Sequence, residues 1–303
     1  MTRQSLRRAR SVLIAPAVRA DFIARLPSRG ADVVFLDCED AVPANAKDQA
    51  RLLARSSVPD LKAAGCDVVV RCNPVGSEWF EEDITQAIAP EAGAVVVPKI
   101  ETVAQLDHAA QTLDAAGLGH VGIMVGIETA LGVVDARPLL AHQRVVAAYF
   151  GAEDFIADMG GVRTDSNAEV AVARAQVAMA ARLASVTLVD QVVTNFGDSD
   201  RFVREATEAR NLGYDGKLCI HPAQVELAHR AFTPSAEEVD RARRLLAAYE
   251  ESAAAGLAAI DFEGQMVDEP LATQARRLLE RVAGDGGSAS PPPPSAAPVR
   301  ELS

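Results

Sequence analysis

Eight short apolar runs rich in β-branched residues alternate with longer Ala/Leu/Arg/Glu segments of helical period, and this alternation constrains the fold more than any other feature. The runs are Ser11–Pro16, Asp32–Asp37, Asp67–Asn73, Ala94–Lys99, Gly122–Glu128, Val145–Gly151, Leu188–Val193 and Gly216–His221. Most are continuously apolar, the pattern of parallel strands covered on both faces. Eight such strand–helix repeats predict an α/β protein, a (β/α)8 TIM barrel. An open doubly wound sheet is the competing arrangement. It normally carries a Gly-rich turn after its first strand, and Ala15-Pro16-Ala17-Val18-Arg19 is not one. Beyond His221-Pro222 the pattern turns helical. Ser235–Ala255 reads as a helix with Ser235 as N-cap, Gly256–Pro270 as a loop and Leu271–Val282 as a last helix. The expected organisation is a barrel over residues 1–232, a C-terminal helical arm or lid over 233–283, and a disordered Pro-rich tail over 284–303.

Charged residues gather where these runs end. Glu128 closes the fifth run, and Asp154 follows the sixth, one strand–helix–strand repeat later. Neighbouring parallel strands deliver both carboxylates to the same end of the sheet, where an oxygen-only pair suits Mg2+. Each acid alone is also explained by a helix N-terminus, whose dipole favours negative charge. The pairing in successive repeats favours the metal. Arg71 ends the third run, with Asp37, Glu39 and Asp40 at the end of the second. An arginine there needs an anion, either one of these acids or a substrate carboxylate or enolate oxygen. Lys99 ends the fourth run and has the same two readings. His221, before Pro222, reads as a loop-holding histidine ahead of a catalytic base. Asp190, in or near the seventh strand, is a candidate for another inward acid. Charges converging at strand C-termini are how an α/β barrel builds an active site.

The net charge of −12, with no basic stripe, argues against nucleic acid as a partner. No apolar stretch reaches membrane-spanning length, and the basic N-terminus is followed by an apolar segment too short for a signal peptide. Cys38, Cys66, Cys72 and Cys219 lack CxxC spacing, so free thiols in a reducing, cytoplasmic compartment are expected.

Several motifs come in one order: Arg10-Ser-Val-Leu, Asp37-Cys-Glu-Asp-Ala-Val42, Val70-Arg-Cys-Asn73, Val97-Pro-Lys-Ile100, Ile127-Glu-Thr-Ala130, Phe150-Gly-Ala-Glu-Asp-Phe155, Gly216-Lys-Leu-Cys-Ile-His-Pro222 and Gly264-Gln-Met-Val-Asp-Glu-Pro270. Together they resemble the citrate lyase beta subunit-like acyl-CoA lyases, a group that includes malyl-CoA and citramalyl-CoA lyases. The resemblance implies a barrel with one Mg2+ held by Glu128 and Asp154. Glu128 and Arg71 would meet the substrate, and Asp37, Glu39, Asp40 and Lys99 would support them. It also implies that Asp268, on the C-terminal arm, acts as a catalytic residue in a neighbouring subunit of a trimer or hexamer. Ile260, Phe262, Met266 and Val267 lie in the same segment and would be buried against that neighbour. Two departures from the family pattern stand out: Leu131, where Arg or Pro is common, and the arm motif, where Gln265 and Val267 replace the usual Lys and Ile.

The implied chemistry is Mg2+-dependent cleavage or formation of a 3-hydroxy-3-carboxyacyl-CoA, the partners being a CoA thioester and a 2-oxo acid. Arg10, Arg19 and Lys47 are candidates for the CoA phosphates. The alternatives are a citrate lyase subunit working on an acyl-carrier-protein thioester, a pyruvate aldolase without CoA, and a malyl-CoA thioesterase. Aldolases of that class resemble this chain in the paired Glu and Asp but carry a histidine beside the first acidic motif, where this chain has Asp40.

Overall fold

The computed structural model describes residues 9–284. Eight parallel strands close into a barrel in simple sequence order: β1 Ser11–Pro16, β2 Val33–Asp37, β3 Asp67–Arg71, β4 Ala94–Val97, β5 Gly122–Ile127, β6 Val145–Phe150, β7 Thr187–Asp190 and β8 Gly216–Cys219. Each was legible as an apolar run, because alternate residues of every strand are buried in two different places. Val33, Phe35, Val69, Val96, Met124, Tyr149, Val189 and Leu218 pack together in one cluster inside the barrel. Their neighbours Val34, Leu36, Val68, Val70, Val95, Val97, Ile123, Val125 and Leu188 pack in a second cluster with residues of the surrounding helices. With both faces covered, no polar alternation survives.

The barrel closes at β1 and β8, where Gly216 is required. A Cβ there would lie 1.7 Å from the Ala9 carbonyl oxygen. Helices follow the strands, the longer ones being Lys47–Ala63, Val103–Ala115, Ala171–Ala184 and Ser199–Leu212. Thr102 and Gln105 cap the second of these with a reciprocal capping box. Asp198 caps the fourth by accepting the Arg201 N–H.

The seventh strand begins earlier and ends earlier than its apolar run suggested, and this corrects the reading of Asp190. Val189 faces the barrel interior, so Asp190 faces the helix layer. There it is fully buried and takes a two-point contact from Arg174 at 3.1 and 3.0 Å and the Lys217 ammonium at 2.7 Å. It is an outward structural acid.

Residues 9–232 and 233–284 form two compact units. The second contains the helices Ala236–Ala254 and Glu269–Gly284. Ser235 caps the first of these in a capping box with Glu238. The segment expected to be a loop holds an antiparallel hairpin, Ile260–Phe262 with Gln265–Val267. Its two-residue turn, Glu263-Gly264, has both residues at positive φ, the form that matches strand twist. Ile260, Phe262 and Val267 are buried with Leu245, Leu246, Tyr249 and Ala272 of the same unit. They therefore build this unit's own core, which corrects the expectation that a neighbouring subunit must cover them. Met266 alone of the four is exposed. The Pro-rich tail from 285 onward lies outside the described residues.

Candidate active site

The site assembles at the C-terminal ends of β2 to β6. Asp37 and Arg71 are direct register partners at the ends of β2 and β3. Arg71 Nε and Nη2 donate to Asp37 Oδ1 and Oδ2 at 2.7 and 2.8 Å, a two-point fork that fixes the guanidinium plane. Asp37 also accepts the backbone N–H groups of Glu39 and Ala41. Burial pushes its carboxyl up, but the Arg71 fork and these donors outweigh it and hold the group below its ordinary range. Arg71 Nη1 lies 3.0 Å from Glu39 Oε2. The structure thus bears out the salt-bridge reading of Arg71, whose guanidinium is anchored by Asp37 and Glu39 at the strand end.

Lys99 follows β4 in the left-handed region, at φ 53°. Its main-chain N–H donates to Glu128 Oε1 at 2.9 Å. Its ammonium lies 2.6 Å from Glu39 Oε1, 3.2 Å from Asp40 Oδ2 and 3.4 Å from Asp154 Oδ1. The acidic cluster, not solvent alone, therefore surrounds this lysine. Asp40 stands at the margin, with 58% of its side chain exposed.

Glu128 is the first residue after β5 and only 1% exposed. Oε1 also accepts the Tyr149 hydroxyl at 3.1 Å. Two glycines make room for this carboxylate. A Cβ on Gly151 would fall 2.3 Å from Glu128 Oε2, and one on Gly126 would fall 2.9 Å from Oε1. Burial, then the negative charge of Asp154, push Glu128 up to about 8. Asp154 sits in the first turn of the helix Ala152–Asp158, with 37% of its side chain exposed.

Tyr149 received no role in the sequence reading. Its signal was available: it is the only tyrosine within a predicted strand, two residues before Gly151. Lys47 departs from its expected part in phosphate binding. It is buried and donates to the carbonyls of Cys38 and Glu39 and to Asn73 Oδ1, tying the loop after β2 to the loop after β3. Arg10 precedes β1, at the opposite end of the barrel from the site, and forks onto Asp32. Strand direction removes it from the site. Arg19 stands at the site's end of the barrel, exposed and paired with Asp21. His221 stacks on Phe196 at 5.1 Å and accepts the Ala223 N–H, a loop-holding arrangement. Asp268 belongs to the second unit and is half-buried beside the start of the helix Glu269–Gly284.

Residues 10–222 match the HpcH/HpaI aldolase/citrate lyase family. The chain belongs to that family. Aldolases and citrate lyase both break carbon–carbon bonds, and this HpcH/HpaI member is a carbon–carbon lyase accordingly. It is 48% identical to the citrate lyase subunit beta-like protein of Deinococcus radiodurans, covering 90% of this chain and 97% of that one. It is 29% identical to human mitochondrial citramalyl-CoA lyase, over 89% of this chain and 84% of that one. Protein CitE of Mycobacterium tuberculosis, solved with magnesium, acetoacetate and coenzyme A, superposes with a TM-score of 0.78. That match has 32% identity and covers 90% of this chain and 97% of that one.

The donors present in this family member fit a hard divalent ion. Glu128 is a buried carboxylate whose charged form is opposed by a second carboxylate, a conflict that a cation relieves. Gly126 and Gly151 leave space around its oxygens. Among the described residues no group of three or more His, Cys, Asp or Glu forms a closed cage. Two acids with open positions are what Mg2+ prefers, since it keeps several waters and shares its sphere with substrate oxygens.

Proposed function

We propose that the protein is an Mg2+-dependent lyase acting on a 3-hydroxy-3-carboxyacyl-CoA, such as citramalyl-CoA or malyl-CoA. The products would be acetyl-CoA, or a homologue, and a 2-oxo acid. The observation that carries this reading is the buried Glu128 beside Asp154, next to an arginine fixed in orientation by Asp37.

Glu128 and Asp154 would hold the ion, which would supply Lewis-acid polarisation of the substrate and lower the pKa of its hydroxyl. The hydroxyl proton passes to solvent water, C3–O becomes the carbonyl of the 2-oxo acid, and the C2–C3 bond breaks with its electron pair passing to the thioester side as an enolate. Arg71, preoriented by Asp37, faces this developing charge, and its fixed guanidinium needs no reorganisation during the step. Asp268 of a neighbouring subunit protonates the enolate carbon, a role supported by the motif Gly264-Gln-Met-Val-Asp268. This arrangement requires an oligomer, a trimer or hexamer with the C-terminal unit shared between copies. The four free thiols, three of them buried, suit a reducing, cytoplasmic setting.

A second reading is a citrate lyase subunit, in line with the 48% identity to a citrate lyase subunit beta-like protein, and its substrate would be an acyl-carrier-protein thioester. One experiment separates the cases. The isolated protein with Mg2+ is offered malyl-, citramalyl- and hydroxymethylglutaryl-CoA, the corresponding free acids, and acyl-carrier-protein thioesters. The expected outcome is 2-oxo acid release from a CoA ester, lost on chelation. Cleavage of free acids alone, turnover only of carrier-protein esters, or CoA release without 2-oxo acid would each replace this assignment.

A further inference from the structure

Lys99 occupies a backbone conformation that suits glycine better. At φ 53° a Cβ crowds the neighbouring carbonyl oxygen, a strain that glycine does not carry. The strain is coupled to two contacts. The main-chain N–H holds Glu128 Oε1 at 2.9 Å, and the side chain reaches Asp154 Oδ1 at 3.4 Å. One residue thus touches both acids assigned to the metal, the first through its backbone and the second through its charge.

The surrounding charges define what that ammonium does. Asp37, Glu39, Asp40, Glu128 and Asp154 are the acids at this end of the barrel, and the cations Arg71 and Lys99 oppose them. Arg71 is committed to Asp37 by its fork. Lys99 is the cation that faces Asp154. Its contacts are unequal. Glu39 Oε1 is a short-range anchor at 2.6 Å, whereas Asp154 is at the longer 3.4 Å. An ammonium on a flexible four-carbon stem can release the weaker contact while keeping the stronger one.

We propose that Lys99 is a resident counter-cation, which a divalent ion must displace from Asp154, and that its side chain thereby sets the metal affinity of the site. The inference rests on Glu128 and Asp154 being the ligands. Lys99 balances Asp154 while no ion is bound. On metal binding it withdraws towards Glu39 and Asp40, and its remaining positive charge weakens the hold on the ion. A substrate that brings its own carboxylate offsets that charge, so metal and anionic substrate bind with positive coupling.

Lys99→Gly is the diagnostic variant. It suits the left-handed backbone, retains the N–H on Glu128 and deletes the ammonium. Lys99→Met removes the charge but keeps the bulk, and Lys99→Arg keeps the charge. Mn2+ binding to the substrate-free full-length protein is measured by electron paramagnetic resonance, with Mg2+ as competitor and circular dichroism as the check on folding. Both neutral variants should bind Mn2+ at least about tenfold more tightly, because one positive charge beside a divalent ion has gone. Lys99→Arg should stay near the wild-type value. Unchanged or weaker binding in folded Lys99→Gly overturns the proposal, as does equal tightening in Lys99→Arg. Glu128→Gln separates the two layers. If it binds Mn2+ as well as the wild type, the ligand assignment itself fails. If it abolishes binding while the neutral Lys99 variants bind no tighter, only the role of Lys99 fails.

Discussion

The role proposed for Arg71 rests on its shape as much as on its charge. Its Nε and Nη2 are held by Asp37, which leaves a fixed plane facing the site. An ammonium cannot reproduce two parallel contacts at that spacing. Arg71→Lys should therefore lower kcat by about 100- to 1,000-fold, the usual loss when one preorganised donor to a developing oxyanion is removed. Steady-state kinetics on the preferred CoA ester checks this, and near-normal kcat would reduce Arg71 to a generic counter-charge. Glu128 gives a pH signature. Its acid is pushed up to about 8 without metal, against an ordinary value of 4.5. Between these values the folded protein holds a proton that the unfolded chain has lost, so stability of the metal-free protein falls as pH rises through that window. Mg2+ needs the deprotonated carboxylate, so its apparent affinity should rise with pH and level off above about 8. Calorimetric titration with Mg2+ and thermal melts with and without the ion, across pH 6 to about 9, test both signs. A flat affinity profile would mean that Glu128 does not titrate with metal binding.

At the scale of elements, two kinds of glycine have separate work. Gly126 and Gly151 clear space for the Glu128 carboxylate, whereas Gly216 lets β8 approach the chain ahead of β1. At Gly216 the obstacle is a backbone carbonyl, which cannot swing aside as a side-chain tip can. Gly216→Ala should destabilise the barrel by more than about 3 kcal/mol, above ordinary overpacking. Denaturant unfolding of the barrel measures it, and a loss below about 1 kcal/mol would show that the seam can open without cost. The loops after β2 and β3 are stiffened from below by Lys47, which joins two carbonyls of one loop to Asn73 of the other. Asn73 in turn is held by Asp83, itself paired with Arg51. This polar layer explains why Glu39 and Arg71, on separate loops and strands, keep one geometry.

At the scale of the whole molecule, the described residues divide into a barrel with the acids and arginine and a second unit with Asp268. The proposed chemistry needs both. If Asp268 serves a neighbour's barrel, an Asp268→Asn protein and a Glu128→Gln protein, each inactive, should regain part of the activity when their subunits are exchanged. Hybrids then contain sites with an intact metal centre and an intact neighbouring acid. Native mass spectrometry would establish the exchange. No recovery after proven exchange, or full activity in a monomer, would remove Asp268 from the shared site. No helix among the described residues is long and apolar enough to cross a membrane.

The barrel was legible from the sequence because burial on both faces leaves one unmistakable mark, a continuous apolar run of strand length. The polar residues ending those runs were legible for a related reason. Parallel strands put every C-terminus on one side, so Asp37, Arg71, Lys99, Glu128 and Asp154 had to share an end of the barrel. Other features depend on contacts between distant residues. The side of the sheet on which Asp190 falls follows from where β7 starts, and its partner Arg174 lies on a separate helix. The commitment of Lys47 to two backbone carbonyls leaves no trace in local pattern, nor does the core that Ile260, Phe262 and Val267 form with two helices of their own unit. The Tyr149 hydrogen bond across two neighbouring strands and the ammonium of Lys99 between Glu39 and Asp154 are set by side-chain contacts between strand ends that no local pattern records. Periodicity reports how a residue meets solvent or core, whereas these pairings are decided by three-dimensional proximity.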